Sequence, residues 1–385
     1  MASGIYFGAN VSISNTPSYQ LAHATIEGII EDSLTRGISS KELSSAEVHQ
    51  LTSAFMRTVH KLEGHGAVSE PKIIEYLHEG VFLEVDRVRT LMLSSTLLGS
   101  GGECSVYLGV TDSGKRCAIK VMENETDPAR EQKILDALAF SPYVITRWGS
   151  DEWYRVEERC SYNLGVIVDE AELGNDAFVG FLGVQRSLIN EQLLTGIDDM
   201  HSKDICHLDV KLENILLKKK GAVRISDFGA AIFAGDVLRG GSVQWASPEL
   251  IRLTASMPEK KEDRKVSDPK KVDIWQAGFA LALLNKPLLS EAFKNRLEEY
   301  VTYHEDLLTD NQDRLVYAKK ADEFFSSLGR EGIFSDLTPE NAFEKLLSRM
   351  TLLDPAMRPT STEALQIYKN ECSAMMQERS FKLIP

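Results

Sequence analysis

The feature that most constrains the fold is a change of pattern along the chain. From about residue 91 to residue 169, short apolar runs that predict strands alternate with Gly-rich or Asp-Ser-Gly turns, and one helix is predicted at Asp127–Leu138. Beyond Gly174 the pattern becomes mainly helical. Three of the later predicted helices are Arg186–His201, Asp273–Leu284 and Asn341–Met350. A small sheet-rich part before a larger helical part predicts a two-lobed α+β architecture.

The last two strands predicted for the smaller lobe are Tyr143–Trp148 and Leu164–Asp169. They place the hinge between the lobes at Glu170–Gly174. The smaller lobe is therefore predicted at residues 93–172, as an antiparallel sheet with one main helix, and the larger lobe at residues 173–370. Residues 371–385 are predicted to form a C-terminal tail.

The chain before residue 93 has a different character. Its apolar residues recur at helical spacing, with one stripe at residues 26–34 and another at residues 48–59. No charged residue precedes Glu27, and Ser, Thr and Asn recur from residue 12 to residue 18, so little can be buried there. We predict a disordered terminus over residues 1–20 and a helical segment over residues 21–92 with a regulatory or targeting role.

Charge and cysteine content exclude several classes of protein. The chain has 385 residues and a net charge of −14, which argues against nucleic acid as a partner. Its five cysteines are odd in number and form no C-x-x-C pair, so the sequence predicts a reducing, cytoplasmic environment without disulfides or a zinc site. No apolar run reaches the length of a membrane span.

A Gly-rich turn between two predicted strands offers a site for phosphate. Its residues are Gly99, Ser100, Gly101 and Gly102. Glycines let backbone N–H groups approach phosphates closely, although such turns are common. A dinucleotide-binding fold would need a helix directly after the glycines, whereas a strand is predicted. Lys120 on a following strand supplies a fixed positive charge, and Glu131 on the next helix is the candidate carboxylate to hold it.

A second polar group follows about ninety residues later. His207, Asp209, Lys211 and Asn214 precede a short apolar strand, and Asp227 follows that strand. Phosphoryl transfer requires metal ions on the phosphates, a carboxylate facing the acceptor hydroxyl and positive charge on the moving group. These residue types supply each of those functions.

At this point the sequence resembles the protein kinase family, over nearly everything after residue 93. The H-x-D-x-K-x-x-N pattern from His207 and the Asp227-Phe228-Gly229 motif match in order and spacing. Trp245-Ala246-Ser247-Pro248-Glu249 is similar to the family's A-P-E motif. Asp273, Trp275 and Gly278 resemble its D-x-W-x-x-G helix, and Arg358 resembles the arginine that pairs with the A-P-E glutamate.

The resemblance implies a role for each matching residue. Asp209 would orient and deprotonate the acceptor hydroxyl, and Lys211 would contact the γ-phosphate. Asn214 and Asp227 would hold Mg²⁺ or Mn²⁺, and Lys120, held by Glu131, would anchor the α- and β-phosphates of ATP. The remaining nucleotide-binding residues would be Gly99, Ser100, Gly101, Gly102, Val106, Ala118, Glu170 and Leu216. The implied substrates are serine or threonine hydroxyls of proteins.

The sequence also departs from the family. Cys104 replaces the third glycine of the loop, and Asp169 would fall near the gatekeeper position, which is usually apolar. Leu208 replaces the arginine that pairs with an activation-loop phosphate in many kinases. The loop from Gly229 to Glu249 contains no Thr or Tyr, and Ser242 is its candidate hydroxyl. We therefore predict activity that does not depend on phosphorylation of this loop.

Three other functions remain open. A pseudokinase would share the fold, although such proteins usually lose one of the polar residues retained here. A small-molecule kinase is disfavoured by the matches to A-P-E and Arg358. The uncharged, Ser- and Asn-rich start is similar to that of bacterial effectors exported by a type III machine. Residues 1–92 could therefore serve an export partner. The alternative is a flexible tail on a regulatory helical segment.

Overall fold

The computed structural model describes residues 74–76, 80–100, 104–111, 113, 115–122, 127–218, 221–238, 245–256, 265–310 and 314–382. These residues divide into two compact units. One comprises the described chain up to Thr126 together with Arg147–Arg159, and the other comprises Asp127–Thr146 and the described chain from Cys160 onward. The first is built on a sheet and the second is mainly helical, which confirms the predicted α+β class.

The first unit contains an antiparallel sheet of seven strands in the order β1-β2-β3-β4-β5-β7-β6. The strands are β1 (Ile74–Tyr76), β2 (Gly80–Val85), β3 (Val88–Ser100), β4 (Cys104–Thr111), β5 (Arg116–Met122), β6 (Arg147–Ser150) and β7 (Tyr154–Glu158). Successive side chains of a strand point to opposite faces. Cys117, Ile119 and Val156 therefore share the face that forms the apolar core of this unit, where all three are fully buried.

The start of the sheet corrects the prediction for residues 21–92. The described part of that segment forms β1, β2 and the first half of β3, so predicting it as helical was wrong there. Val85 pairs with Val88 across Asp86 and Arg87, whose φ angles are 49° and 65°. Two positive φ angles suit a tight hairpin, but Asp-Arg lacks the glycine that usually marks this turn. The predicted disordered terminus and both helical stripes lie outside the described residues.

The second unit contains the described helices. They are α1 (Pro128–Ala137), α2 (Leu164–Glu172), α3 (Asp176–Ser202), α4 (Pro248–Ser256), α5 (Pro269–Leu284), α6 (Glu291–Asp310), α7 (Arg314–Ser327), α8 (Ala342–Met350), α9 (Ser361–Ile367) and α10 (Ser373–Phe381). Short 3₁₀ helices occur at Leu212–Asn214, Lys286–Leu288 and Pro355–Met357, and a π-helix at Tyr368–Cys372. The helices predicted near residues 127, 186, 273 and 341 are confirmed.

Helix α5 is buried on nearly all sides. The Asp268 carboxylate accepts the Lys270 N–H at 3.2 Å, and Pro269 occupies its first turn, so the start of the helix is capped. A Cβ at Gly278 would lie 3.0 Å from Met350 Cβ, so glycine allows the close approach of the end of α8. A helix that is buried on all sides is mainly apolar. The few polar residues that it buries need hydrogen-bond partners inside the protein.

Two small sheets lie among the helices. In one, β10 (Ile215–Leu217) pairs with β11 (Val223–Ile225) and with β8 (Tyr162–Asn163). In the other, β9 (Ile205–Cys206) pairs with β12 (Ile232–Phe233). The polar residues after residue 206 thus lie between short strands, which hold both ends of the segment.

The predicted strand Leu164–Asp169 is wrong, because these residues belong to α2. Asn163 accepts the Val166 N–H at 2.9 Å and caps the helix, which buries Leu164, Ile167 and Val168 at helical spacing. A short apolar run does not by itself distinguish a strand from a buried helix. The sheet-rich unit accordingly ends at Arg159, before the predicted hinge, and its last strands are β6 and β7.

The C-terminal residues are more ordered than the predicted tail. Residues 373–381 form α10, and Cys372 and Met376 are buried in the main core. The five cysteines are thiols and form no disulfide bond within the described chain. Among the described residues, none of the helices combines the length and the apolar character that a membrane crossing requires.

Candidate functional site

Residues 207–229, which we call the polar segment, bring three of the predicted site residues together. Lys211 Nζ and Asn214 Nδ2 each donate to Asp209 Oδ2 at 3.0 Å. Asn214 Nδ2 also donates to the backbone oxygen of Asp209 at 2.8 Å. Asp209 is 9% exposed and Asn214 is 7% exposed. The Asp209 carboxylate is therefore held in one direction by charge-assisted hydrogen bonds.

Asp273 of α5 anchors the start of the polar segment. Its carboxylate accepts the backbone N–H of His207 at 2.8 Å and that of Leu208 at 2.7 Å. His201 Nε2 lies 2.9 Å from the same carboxylate. Asp273 is fully buried, so these partners offset the cost of removing its charge from water.

Gln276, one turn after Asp273, holds the next residues. Its Oε1 accepts the Val210 N–H at 3.0 Å, and its Nε2 donates to the Leu208 oxygen at 3.1 Å. Leu208 has a φ of 63°, a left-handed conformation that L-residues seldom adopt. Such a conformation persists where several contacts determine it. Here the hydrogen bonds from α5 supply those contacts.

Asp227 follows the end of β11, close to Asn214. Ser226, the residue before it, donates from its backbone N–H to the Asn214 oxygen at 2.9 Å and from its hydroxyl at 3.0 Å. The His207 ring packs against Phe228 with the ring centroids 4.9 Å apart. Asp227 has a φ of 67°. These contacts bring the two predicted metal ligands to the same end of the small sheet.

The donor set of Asn214 and Asp227 suits a hard divalent cation. A carboxylate and an amide oxygen are ligands that Mg²⁺ accepts, and Mg²⁺ usually keeps further positions for water or substrate phosphate. The Asn214 amide nitrogen is directed to Asp209, so the amide oxygen is turned away from that residue. Asp227 is only partly buried, as a ligand to an exchangeable ion should be.

A second group resembles a metal-ligand set by distance alone. Ligand atoms of His201, Cys206 and Asp273 lie within 4.8 Å of one another. The Asp273 carboxylate already accepts from two backbone N–H groups, and burial raises the pKa of the Cys206 thiol well above its usual range. Because a metal needs the thiolate, we interpret this group as structural support for the polar segment.

In the first unit, one face of the sheet contains four of the predicted nucleotide-binding residues, Gly99, Val106, Ala118 and Lys120. Gly99 pairs with Val106, and Val106 pairs with Lys120. Directly opposed residues of antiparallel strands share a face, and so does Ala118, two residues from Lys120. Ser100 ends β3, whereas Gly101 and Gly102 lie outside the described residues.

The remaining predicted site residues belong to the second unit. Glu131 is buried on α1, and its pairing with Lys120 of the first unit stays a prediction. Leu216 is half-buried on β10. Glu170 was predicted to bind nucleotide and Asp169 to lie near the gatekeeper position, because both were placed at the end of a strand. Both residues lie on α2 instead, so that reason no longer holds.

Two arginines contact the candidate site but were not predicted from the sequence. Arg130 of α1 donates to the backbone oxygens of Gly229 and Ala231, directly after Asp227. Arg147 pairs at 2.8 Å with Glu157, which lies opposite Ala118 and so shares the face of the predicted nucleotide-binding residues. The first contact has no sequence signal, because its acceptors are backbone atoms. The second could have been found from the correct strand assignment of β7.

One predicted pair outside the polar segment is present. Arg358 donates to both carboxylate oxygens of Glu249, at 2.7 and 2.8 Å, and its guanidinium lies 4.9 Å from the Trp275 ring centroid. A bidentate pair of this kind fixes orientation as well as position. It ties the start of α4 to α5 and to the loop before α9.

Comparisons with known proteins agree with this geometry. A sequence model described as the protein kinase domain matches residues 93–368. Cyclin-dependent kinase 11.1 of Caenorhabditis elegans is 30% identical over 232 residues, which cover 56% of this chain and 30% of that protein. A probable serine/threonine-protein kinase of Encephalitozoon cuniculi is 28% identical over 57% of this chain and 42% of its own length.

The meiosis-specific serine/threonine-protein kinase mek1 of Schizosaccharomyces pombe is 25% identical over 77% of this chain and 73% of its own length. The chain thus spans less than half the length of the two relatives named before it. Since the domain match extends over well more than half of the sequence and includes the whole polar segment, the chain belongs to the protein kinase family.

Proposed function

We propose that this chain is a serine/threonine-protein kinase that transfers the γ-phosphate of MgATP to hydroxyl groups of protein substrates. The observation that carries the proposal is the contact of Lys211 and Asn214 with one oxygen of Asp209, close to Asp227. The kinase domain implies ATP as co-substrate and a divalent metal ion. The names of the relatives support serine and threonine as acceptors.

Each residue of the polar segment has a task in this reaction. Asp209 orients the acceptor hydroxyl and takes its proton as the phosphoryl group moves. Lys211 neutralises charge on that group, and its contact with Asp209 keeps it close to the acceptor. A metal ion held by Asn214 and Asp227 would neutralise charge on the phosphates; Mg²⁺ is our choice over Mn²⁺ because it is the usual partner of ATP.

We further propose that activity does not depend on phosphorylation of the loop after Gly229. Leu208, which stands where many kinases have the phosphate-binding arginine, is fully buried and apolar. Arg130 instead binds the start of this loop through two backbone oxygens. Ser242, the candidate hydroxyl of the loop, lies outside the described residues, so its role in the loop stays a prediction.

The functions of the separate parts of the chain are also a proposal. We assign catalysis to residues 93–370, supported from upstream by the β2 strand, which buries Leu83 and Val85 in the core of the first unit. A regulatory or export role is left to residues before β1. Five cysteines present as thiols fit the cytoplasm, or export into the cytoplasm of a host cell.

The test is transfer of labelled phosphate from ATP to a mixture of proteins, followed by identification of the phosphorylated residue type. Asp209→Asn should lower the rate at least about a hundredfold, which is the usual contribution of a positioned base. Asp236→Asn is the matched control, because Asp236 is exposed and lies outside the polar segment. A wild-type protein that binds ATP but phosphorylates nothing would identify a pseudokinase, and transfer only to sugars or choline would identify a small-molecule kinase.

A further inference from the structure

A cavity of about 510 Å³ opens beside the polar segment, within the second unit. Four consecutive residues, Val210 to Glu213, form part of its wall, and Lys211 among them contacts Asp209. The other walls come from α2, α5 and α6. We call this cavity the acidic groove. A peptide whose hydroxyl reaches Asp209 must place its neighbouring residues on the surface that contains the groove.

The walls of the acidic groove are apolar, but its charged residues are mostly acids. Its apolar lining includes Val168, Val210, Leu212, Leu283, Leu297 and Val301. Its carboxylates are Asp169, Glu172, Glu213, Glu298 and Glu305, and the lysines among its described lining residues are Lys211 and Lys286. Five acids and two lysines give this lining a formal charge of −3. Such a surface favours a side chain that is apolar along its stem and positive at its end.

The lysines are already engaged. Lys286 Nζ lies 3.1 Å from Glu298 and 3.5 Å from Glu172. Partial burial lowers the pKa of Lys286, but the two carboxylates outweigh it and the pKa is raised overall, so the ammonium stays charged. The single charge of Lys286 balances one of these two carboxylates, and Lys211 is paired with Asp209. The exposed carboxylates of Asp169, Glu213 and Glu305 therefore contribute most of the negative charge that an incoming peptide meets, and Glu213 lies closest in the chain to Asp209.

We propose that the acidic groove selects protein substrates with a basic residue, arginine best, close to the acceptor serine or threonine. This inference rests on the proposed kinase function. Arginine fits better than lysine because its guanidinium can bind a carboxylate with two parallel hydrogen bonds while its stem lies on the apolar walls. A peptide with acidic residues beside the acceptor meets like charges and is disfavoured.

The test uses peptides of one sequence with a single acceptor serine, in which arginine, glutamine or glutamate is placed in turn at each position on either side. The measured quantity is the ratio of kcat/KM for the arginine peptide to that for the glutamine peptide. We expect a ratio of about ten or more at the preferred position, which corresponds to one well-formed charged contact. The variants are Asp169→Lys and Glu213→Lys, both at exposed side chains.

Each reversal should lower the ratio about three- to fivefold, as expected for exposed charges, and the double variant should prefer the glutamate peptide. A uniform loss of rate cancels in this ratio, so the nearness of Glu213 to Asp209 does not confuse the result. Glu299→Lys is the control on α6, because Glu299 is exposed, lies outside the groove and pairs with Arg296; it should leave the ratio unchanged. A wild-type preference for glutamine or glutamate, or a ratio that survives the double reversal, overturns the inference.

Failure of the proposed kinase function can be distinguished from failure of the proposed peptide preference. If no peptide or protein accepts phosphate, the kinase function fails, and the groove is tested by fluorescence anisotropy with labelled peptides. Tighter binding of the arginine peptide, weakened by Asp169→Lys and Glu213→Lys, supports the groove as a basic-peptide site. Equal binding of the arginine and glutamine peptides overturns it.

Discussion

Two buried regions of the second unit are held together by different kinds of contact. In the polar segment and its support from α5, the carboxylates of Asp209 and Asp273 and the amide of Asn214 all have identified partners. In a second region, aromatic side chains from α5, α6 and α7 pack together. This aromatic cluster consists of Trp275, Phe279, Tyr300, His304, Tyr317 and Phe325, which are all at most 2% exposed.

The aromatic cluster is held mainly by ring packing, with one hydrogen bond between His304 Nδ1 and the Tyr317 hydroxyl. Tyr300 stacks on Phe279 with the centroids 4.5 Å apart, and the His304 centroid lies 4.2 Å from that of Tyr300. Among the described residues, neither the Tyr300 hydroxyl nor His304 Nε2 has a hydrogen-bond partner. The comparison indicates that changes in the polar segment should mainly affect activity, whereas changes in the aromatic cluster should mainly affect stability.

The largest expected effect is that of Asp227→Ala. Removal of the proposed metal ligand should lower phosphoryl transfer about a thousandfold or more, since neutralising the charge on the phosphates supplies much of the rate enhancement in this reaction. The melting temperature should stay close to that of the wild type, because Asp227 is only partly buried. Phosphate incorporation and thermal unfolding are measured on the same preparation. Retained activity would show that Asp227 has no role in catalysis.

Asp273→Asn should lower both activity and stability, unlike changes confined to one of the two regions. The asparagine can accept only at one oxygen, so a buried donor among His201, His207 and Leu208 loses its partner. We expect the free energy of unfolding to fall by about 2–4 kcal/mol and the rate to fall about tenfold or more. Denaturant titration and the kinase assay measure the two effects.

The control for Asp273→Asn is Asp322→Asn, which breaks the exposed pair with Arg252. It should change the free energy of unfolding by less than about 1 kcal/mol and leave activity unaltered. If Asp273→Asn keeps wild-type activity, the support from α5 is not what orients the polar segment.

Arg130→Met tests whether the loop after Asp227 is positioned without phosphate. The change removes both hydrogen bonds to Gly229 and Ala231, and activity should fall about tenfold, as expected when catalytic groups lose orientation. Phosphatase treatment of the wild type should leave activity unchanged. Strong loss of activity on dephosphorylation, with Arg130→Met remaining active, would favour control by a phosphate on Ser242.

The smallest effect concerns the pH dependence of stability. Burial lowers the pKa of His304 to about 3, so the folded protein excludes a proton that the unfolded chain binds below pH 6.5. The free energy of unfolding therefore falls as pH drops from about 6.5 towards 3, by up to about 1.4 kcal/mol per pH unit from this group. Above pH 6.5 the group contributes no pH dependence.

His304→Phe should remove this part of the slope. Urea denaturation at pH 7.5 and pH 5.5 should show a loss of about 1 kcal/mol more for the wild type than for the variant. Activity at pH 7.5 should be nearly equal in both, because the aromatic cluster lies outside the polar segment. Parallel losses in the two proteins would show that His304 is not excluded from protonation in the folded state.

The polar segment could be predicted from the sequence because its residues are close together in the chain. Asp209, Lys211 and Asn214 lie within six residues, so one turn and one 3₁₀ helix bring them close together. The paired strands of the first unit were also visible, in the alternation around Ala118 and Lys120. Local spacing failed at Leu164–Glu172, where an apolar run fits a strand and a buried helix equally well.

The sequence by itself therefore determined the family, the fold class and the identity of the residues proposed for phosphoryl transfer. Only the tertiary structure decided how those residues are held and what lies beside them. Asp273 and Arg130 act on backbone atoms far away in the chain, and backbone acceptors leave no sequence signal. The acidic groove depends likewise on charges from several separate elements, whose sum exists only after the chain has folded.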